Sequence, residues 1–146
     1  MNTDIEMLGI HHVSVSASDF DRSKAFYDRV LGYLGMAPAL QAKGHPHKDS
    51  DGRLCIYAGA GGMFGLWEAD ETEPGVKFRV YNVGLHHIAF AAGSRESVDR
   101  LYDRLKADGV TVLDAPAEYP YVPGFYAVYF ADPDGMKLEF AYTPRG

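Results

Sequence analysis

The chain contains the same pattern twice, and this internal repeat limits its possible folds more than any other feature. The segment 9–17 (GIHHVSVSA) aligns without a gap on 84–92 (GLHHIAFAA), 75 positions later. At the same offset, 27–29 (YDR) falls on 102–104, which is also YDR. Two copies of about 70 residues predict two similar supersecondary units that bury a shared core.

Each copy begins with a predicted strand, 12–17 or 87–92, in which a histidine and small residues alternate with large apolar residues. A helix follows, with Ser18 or Ser94 as the predicted N-cap and Gly35 or Gly109 just past its end. Turn signals then separate three extended segments in each copy. These segments are 36–43, 53–59 and 63–68 in the first copy, and 110–115, 125–131 and 136–142 in the second.

The resulting order, βαβββ twice, predicts an α+β fold in a single domain, residues 1–146. Module one covers about 9–68, a linker about 69–83, and module two about 84–142. Each helix is expected on the outside of a curved sheet, over the large apolar face of the first strand. The opposite faces, made of His, Ser and Ala, suit the lining of a ligand cavity better than a core. We therefore expect a curved, half-open β-barrel around a cavity.

Composition excludes several function classes. A net charge of −6, with acidic residues spread along the 146-residue chain, argues against binding nucleic acid or an anionic membrane. Cys55 is the only cysteine, which excludes an intrachain disulfide and favours a reducing compartment. No apolar run approaches the roughly 20 residues that span a bilayer, and 1–7 does not resemble a signal peptide. We expect a cytoplasmic protein.

Two histidines and one acid form a candidate metal site. His12 and His87 occupy equivalent positions in the two copies, and Glu139 lies between Leu138 and Phe140 in the last predicted strand. A carboxylate in such an apolar setting needs a partner, because burying a charge alone is costly. Two imidazoles and one carboxylate suit one divalent ion of Fe, Mn, Ni, Co or Zn. Three protein ligands leave positions open for substrate, which is typical of a catalytic site. The alternative is a pairing of Glu139 with a Lys or Arg of the sheet.

The other four histidines are given structural or solvent-exposed roles. If the strands are regular, His11 and His86 take the apolar faces opposite to the candidate ligands. His45 and His47 lie in the polar loop 41–53, for which exposure to solvent is expected and folding over the site is the alternative.

Three stretches of the chain resemble one known superfamily. The segments 12–20, 84–90 and 129–139 look like the module starts and the terminal hairpin of the glyoxalase, bleomycin-resistance and extradiol-dioxygenase (vicinal oxygen chelate) superfamily. The resemblance implies that His12, His87 and Glu139 bind metal and that a small substrate chelates it through two adjacent oxygens. Members of the superfamily are often homodimers, so the resemblance also implies a homodimer. Both modules lie in one chain, so one chain can complete one site, and a homodimer with swapped or side-by-side modules is the alternative.

The resemblance leaves the reaction open. A glyoxalase-like lyase or isomerase usually takes a fourth ligand from the last strand of module one. Aligning Gly62 with Gly135 places Glu139 on Leu66, so Glu68 supplies a fourth ligand only with a shift in register.

An extradiol-type dioxygenase is the second alternative. Tyr129 matches the position of an active-site tyrosine in that family, so Tyr129 and Glu139 are the candidate catalytic residues. The family's acid–base histidine is missing, because 118–124 contains no histidine.

Two further alternatives complete the set. A fosfomycin-type thiol transferase shares the metal ligands, but only Arg145 follows Glu139 as a basic residue. A metal-free drug- or metabolite-binding protein of the bleomycin-resistance type is the non-enzyme alternative. The predicted aromatic lining favours an apolar or aromatic small molecule over a highly charged one; its members are Tyr119, Tyr121, Phe125, Tyr129 and Trp67.

Overall fold

A computed structural model describes residues 4–43, 52–70 and 77–145, which contain eight strands and two helices. Module one consists of β1 (His12–Ala17), α1 (Phe20–Tyr33), β2 (Ala37–Lys43), β3 (Arg53–Gly59) and β4 (Gly62–Glu68). Module two consists of β5 (Ile88–Ala91), α2 (Arg95–Ala107), β6 (Val112–Glu118), β7 (Tyr126–Ala131) and β8 (Lys137–Tyr142). The predicted α+β class and the two βαβββ modules are confirmed. Neither helix in these ranges is long and apolar enough to cross a bilayer.

The two modules form separate four-stranded sheets of identical topology. Sheet one has the order β1-β4-β3-β2, and sheet two has the order β5-β8-β7-β6. In each sheet the first and last strands of the module pair in parallel, and the other pairs are antiparallel. No strand pairing joins the two sheets within the described residues, so they do not close into one barrel.

Helix α1 begins one residue later than predicted. Its N-cap is Asp19, whose Oδ1 accepts a hydrogen bond from the backbone N–H of Arg22 at 3.0 Å. Ser18 is not the cap because its hydroxyl and its N–H both donate to the carboxylate of Asp134 in module two. The predicted cap of α2 is confirmed, since the Ser94 hydroxyl accepts from the backbone N–H of Ser97.

Glycines follow both helices as predicted. Gly35 has a φ of 80° and Gly109 a φ of 69°, a region of backbone space that favours residues without a side chain.

Strand β6 departs from the prediction at both ends. It covers Val112–Glu118, two residues later at its start and three later at its end than the predicted 110–115. Pro116 inside this strand lacks an amide hydrogen, and the register with β7 shifts on either side of Asp114. Such irregular pairing is tolerated because β6 is an edge strand.

Each helix packs on one face of its own sheet, and the opposite face is called here the far face. In module one, Tyr27 and Leu31 of α1 lie among Tyr57, Phe64 and Leu66, and the Tyr27 and Phe64 ring centroids are 4.9 Å apart. In module two the helix side of the core has a similar make-up: Val98, Leu101, Leu105, Val128, Phe130, Leu138 and Phe140. The far faces therefore carry the residues that the core does not use, as the alternation of the sequence predicts.

Polar contacts from α1 connect the modules. The buried Tyr27 hydroxyl donates to Asp132 Oδ2 at 2.7 Å, and the Tyr33 hydroxyl donates to Asp108 Oδ2 at 2.7 Å. Burial raises the pKa of the Asp132 carboxyl. Burial, and then the neighbouring Asp132 charge, raise the pKa of the Tyr27 hydroxyl. These contacts fix module one against the β7–β8 turn and the end of α2.

Candidate metal centre

The far face of sheet two holds a carboxylate and an imidazole in direct contact. Strand β8 places Glu139 between Ala89 of β5 and Tyr129 of β7 in the sheet register. Its side chain is buried, and its Oε2 lies 2.9 Å from Nε2 of His87. The predicted neighbourhood of His87 and Glu139 is thus present in the structure.

One atom of this pair has no hydrogen-bond partner among the described residues. Glu139 Oε1 is buried and makes no hydrogen bond to any described residue. A buried acceptor without a partner costs roughly 1–3 kcal/mol, and more for a charged group. A divalent cation would satisfy both Oε1 and the electron pair of the His87 ring, so these two side chains have the donor atoms of two metal ligands.

Tyr129 lies beside this pair. Its ring centroid is 6.2 Å from that of His87, and the Lys137 Nζ lies 4.6 Å from the centre of the Tyr129 ring. Burial raises the pKa of the Tyr129 hydroxyl well above its ordinary value, and the Glu139 carboxylate raises it further. At neutral pH the phenol keeps its proton and is available as a hydrogen-bond donor.

The aromatic residues expected around the cavity divide between the two modules. Tyr119 packs edge-on against Tyr129 at 5.5 Å and stacks on Tyr121 at 5.9 Å, and Phe125 contacts both Tyr119 and Tyr121. Trp67 is in β4, opposite Ser16 of β1, and therefore belongs to the far face of sheet one. Four of the five predicted lining residues thus form one cluster at the His87–Glu139 pair.

His12 is not part of this constellation. It lies at the exposed start of β1 and lines a cleft of about 820 Å³ between the edges of β1 and β5, and neither His87 nor Glu139 lines that cleft. Across the three described ranges, no group of three or more His, Cys, Asp or Glu side chains could hold a metal ion. Within the described residues, His12 is therefore not grouped with the His87–Glu139 pair.

Glu68 does not lie on the far face of sheet one, so it is not positioned as a fourth ligand beside His12. Its carboxylate accepts from the Arg53 guanidinium at 3.0 Å, and Arg53 also contacts Asp21 of α1, so this cluster is on the helix side of sheet one. Aligning Gly62 with Gly135 matched Glu139 to Leu66, but in the sheets the position equivalent to Glu139 is one residue earlier, at Gly65. In the sheets, Glu139 pairs with Ala89, and the equivalent pair in module one is Gly65 with Ser14. Module one has a glycine where module two has its carboxylate.

The prediction that His11 and His86 take the apolar faces of the strands is wrong. His11 and His86 are exposed and do not enter the apolar faces, because β1 begins only at His12 and β5 only at Ile88. Instead, His11 Nδ1 lies 2.8 Å from His12 Nδ1, and His86 Nδ1 lies 2.8 Å from His87 Nδ1. The duplication of the His-His pair was the signal for this contact. His45 and His47 lie outside the described residues.

Comparisons with known proteins agree with this architecture. Residues 9–140 match the family model of the Glyoxalase/Bleomycin resistance protein/Dioxygenase superfamily, and the chain belongs to this superfamily. The chain is 31% identical over 131 residues to a metallothiol transferase FosB of Lysinibacillus sphaericus, covering 90% of this chain and 79% of that protein.

Two solved structures share the fold. One is a glyoxylase/bleomycin resistance protein/dioxygenase domain from Frankia sp. EAN1pec, with 24% identity, a TM-score of 0.79, and coverage of 97% of this chain and 96% of that one. Another is a mutant of the fosfomycin resistance protein FosX from Listeria monocytogenes in complex with Mn(II) and 1S,2S-dihydroxypropylphosphonic acid. It is 23% identical, has a TM-score of 0.67, and covers 92% of both chains.

Proposed function

We propose that the protein is a divalent-metal-dependent enzyme whose small substrate binds the metal through two adjacent oxygens. His12, His87 and Glu139 would hold one ion of Fe, Mn, Ni, Co or Zn. The observation that carries the proposal is the buried Glu139, 2.9 Å from His87 Nε2 and with an Oε1 that no described residue satisfies. A bound divalent ion would act as a Lewis acid that stabilises negative charge developing on the substrate.

The surrounding residues would orient and protonate the substrate. The protonated Tyr129 hydroxyl can donate a hydrogen bond to a substrate oxygen, and the Lys137 ammonium beside its ring adds positive charge to this part of the far face. The cluster of Tyr119, Tyr121 and Phe125 would exclude water from the apolar part of a small substrate.

We further propose that the site is completed in a homodimer, with His12 of one copy joining His87 and Glu139 of the other. A twofold axis would generate two identical sites from two chains. Support comes from the separation of His12 from the pair in one chain and from the apolar side chains exposed just before each first strand. These exposed residues are Met7, Leu8 and Ile10 before β1, and Tyr81, Val83 and Leu85 before β5. Several large apolar side chains exposed in each of two equivalent segments are consistent with a surface that another chain covers.

Among the superfamily reactions, the geometry favours those that need three protein ligands. A glyoxalase-like lyase or isomerase with a fourth ligand is disfavoured, since Gly65 occupies the position equivalent to Glu139. Extradiol ring cleavage is disfavoured by the lack of a histidine in 118–124.

Thiol transfer is the second candidate function. It is favoured by the 31% identity to a metallothiol transferase and by the position of Lys137, whose charge suits an anionic substrate such as a phosphonate. Lys137 thus supplies a positive charge near Glu139, whereas the segment after Glu139 contains only Arg145 as a basic residue.

Metal binding by mixed variants tests the proposed site. We expect wild type to bind about one Mn(II) per chain in a calorimetric titration, and His12→Ala and Glu139→Ala each to lose it. If each site combines two chains, a refolded mixture of the two variants regains metal, because a mixed dimer contains one site with all three ligands intact. Equal mixing then restores about a quarter of the wild-type sites, since half of the dimers are mixed.

The outcomes separate the alternatives. No recovery in the mixture, with metal still bound by wild type, would contradict the shared site. No metal in wild type under any loading condition would end the enzyme proposal and leave a metal-free binding protein. The substrate class is tested with the loaded protein by supplying a thiol with fosfomycin, a thiol hemiacetal of an α-ketoaldehyde, or a catechol with oxygen. Turnover of the first alone supports thiol transfer.

A further inference from the structure

The two modules repeat one side-chain contact that the proposed metal site does not by itself require. In each module, the candidate ligand histidine and the histidine before it approach through their Nδ1 atoms, at 2.8 Å in both cases. The two ring pairs also share a T-shaped arrangement, with interplanar angles of 81° and 73°. The same geometry therefore appears twice, on two different sheets.

The backbone before each pair is also repeated. Side chains of adjacent residues in a regular strand point to opposite faces and do not meet. Here a glycine two residues before each pair has a φ that only glycine adopts readily, 134° at Gly9 and 135° at Gly84. Each pair thus lies at the junction between an irregular turn and a strand, where adjacent rings can lie side by side.

We propose that His11 and His86 are positioning residues that orient the ligand imidazoles of His12 and His87. This inference rests on the metal site proposed above. An imidazole that gives Nε2 to a metal carries its proton on Nδ1, and that N–H needs an acceptor. In both modules the atom within reach of it is Nδ1 of the preceding histidine. The preceding histidine would then accept through Nδ1 and carry its own proton on Nε2.

The orientation of the His87 ring agrees with this assignment. Its Nδ1 is directed at His86, and its Nε2 is directed at Glu139, 2.9 Å from Oε2. The His87 ring nitrogen that does not contact His86 is therefore the one that faces Glu139. In His12 the contact with His11 likewise occupies Nδ1 and leaves Nε2 for the metal.

The two positioning histidines differ in the contacts that hold their own rings in place. The His86 ring packs edge-on against Tyr81, with centroids 5.2 Å apart. The residue equivalent to Tyr81 in module one is Glu6, 75 positions earlier, which offers no ring. His86 is thus held more firmly than His11, and its loss should have the larger effect.

Replacement of each positioning histidine by phenylalanine tests the inference, because Phe keeps a ring but has no acceptor. We expect His86→Phe to weaken Mn(II) binding by about 10- to 100-fold, the range typical of residues that support a metal ligand. His11→Phe should give a smaller loss. His86→Gln, whose side-chain carbonyl can accept from His87 Nδ1–H, should recover most of the affinity. All comparisons require unchanged far-ultraviolet circular dichroism.

A spectroscopic readout separates orientation from general loosening. In long-range ¹H–¹⁵N spectra of the Zn(II)-loaded protein, we expect His12 and His87 to be protonated at Nδ1 and His11 and His86 at Nε2. Metal bound with unchanged affinity by folded His86→Phe, or a His86 protonated at Nδ1 in the loaded protein, would overturn the inference and leave the metal site intact. Failure of wild type to bind any metal would instead overturn the proposed function.

Discussion

The far faces of the two sheets share one sequence pattern but carry different candidate metal ligands. Module one presents His12 with serines and a glycine, whereas module two presents His87 with the buried Glu139 and Tyr129. At the position of Glu139, module one has Gly65. Both copies therefore contain the histidine, and only module two has a carboxylate at the equivalent strand position. A site that combines His12, His87 and Glu139 would therefore need the far faces of both modules.

Gly65 also fits its surroundings without a side chain. A Cβ built there would overlap Ser14 Oγ and would lie 3.1 Å from Trp67 Nε1. The space that the carboxylate occupies in module two is filled in module one by side chains of the neighbouring strand and of β4 itself. The packing of sheet one thus leaves no room for a carboxylate side chain at position 65.

The largest expected effect concerns the residue that distinguishes the faces. Glu139→Met should abolish metal binding, with a loss of more than about 100-fold, beyond that of residues that only support a ligand. The metal-free variant should be more stable than metal-free wild type by about 1–3 kcal/mol, because it removes a buried carboxylate with an unpartnered oxygen. Calorimetric titration and thermal unfolding in chelator measure the two effects. A variant less stable without metal would show that Glu139 has a structural role.

The next effect compares two tyrosines that the repeat makes equivalent. Tyr27 is fully buried and donates to Asp132, whereas Tyr102 is partly exposed and has Lys106 over its ring. Tyr27→Phe should cost about 1.5–3 kcal/mol, as expected for a lost hydrogen bond to a charged group. Tyr102→Phe should change the free energy of unfolding by less than about 0.5 kcal/mol. Urea unfolding measures both, and equal effects would remove Tyr27 as a link between the modules.

The same tyrosine predicts a dependence on pH. The pKa of the Tyr27 hydroxyl is raised in the folded chain, whereas an unfolded tyrosine ionises near pH 10. Its contribution to stability is then complete below about pH 10 and is lost as the pH rises further. The melting temperature of wild type should fall more steeply than that of Tyr27→Phe between about pH 9.5 and 11. Parallel curves would contradict the assigned shift.

A smaller effect tests the packing that replaces a ligand in module one. Gly65→Ala should destabilise the protein by about 1–2 kcal/mol because its Cβ meets Ser14 Oγ. Ser14→Ala in the same chain should recover part of that loss, which a double-mutant cycle measures as coupling. Independent, additive effects would mean that the Ser14 hydroxyl moves away without cost.

The smallest effect concerns the residue that the register excludes from the site. Glu68→Gln removes a partly exposed ion pair with Arg53 and should cost less than about 1 kcal/mol. Metal affinity should stay within about twofold of wild type, since Glu68 lies on the helix side of sheet one. A larger loss of metal would restore Glu68 as a ligand.

Much of this protein could be predicted from the residues. The repeat of Gly-x-His-His indicated the two modules, and the alternation in 12–17 and 136–142 predicted the correct faces of β1 and β8. The alternation of apolar and polar residues depends only on neighbouring positions in the chain, so the faces of a strand can be predicted without knowledge of the fold. Helix ends at Gly35 and Gly109 could be predicted for the same reason.

Tertiary structure alone decided three points. Ser18 lost the cap of α1 to Asp19 because its side chain bonds Asp134, over a hundred residues away in sequence. The partner of each strand residue depends on the turn that precedes it, so counting from Gly62 and Gly135 missed the match of Glu139 with Gly65 by one residue. The separation of His12 from the His87–Glu139 pair depends on how two sheets pack, which is set by long-range contacts such as Tyr27 with Asp132 and not by any local pattern.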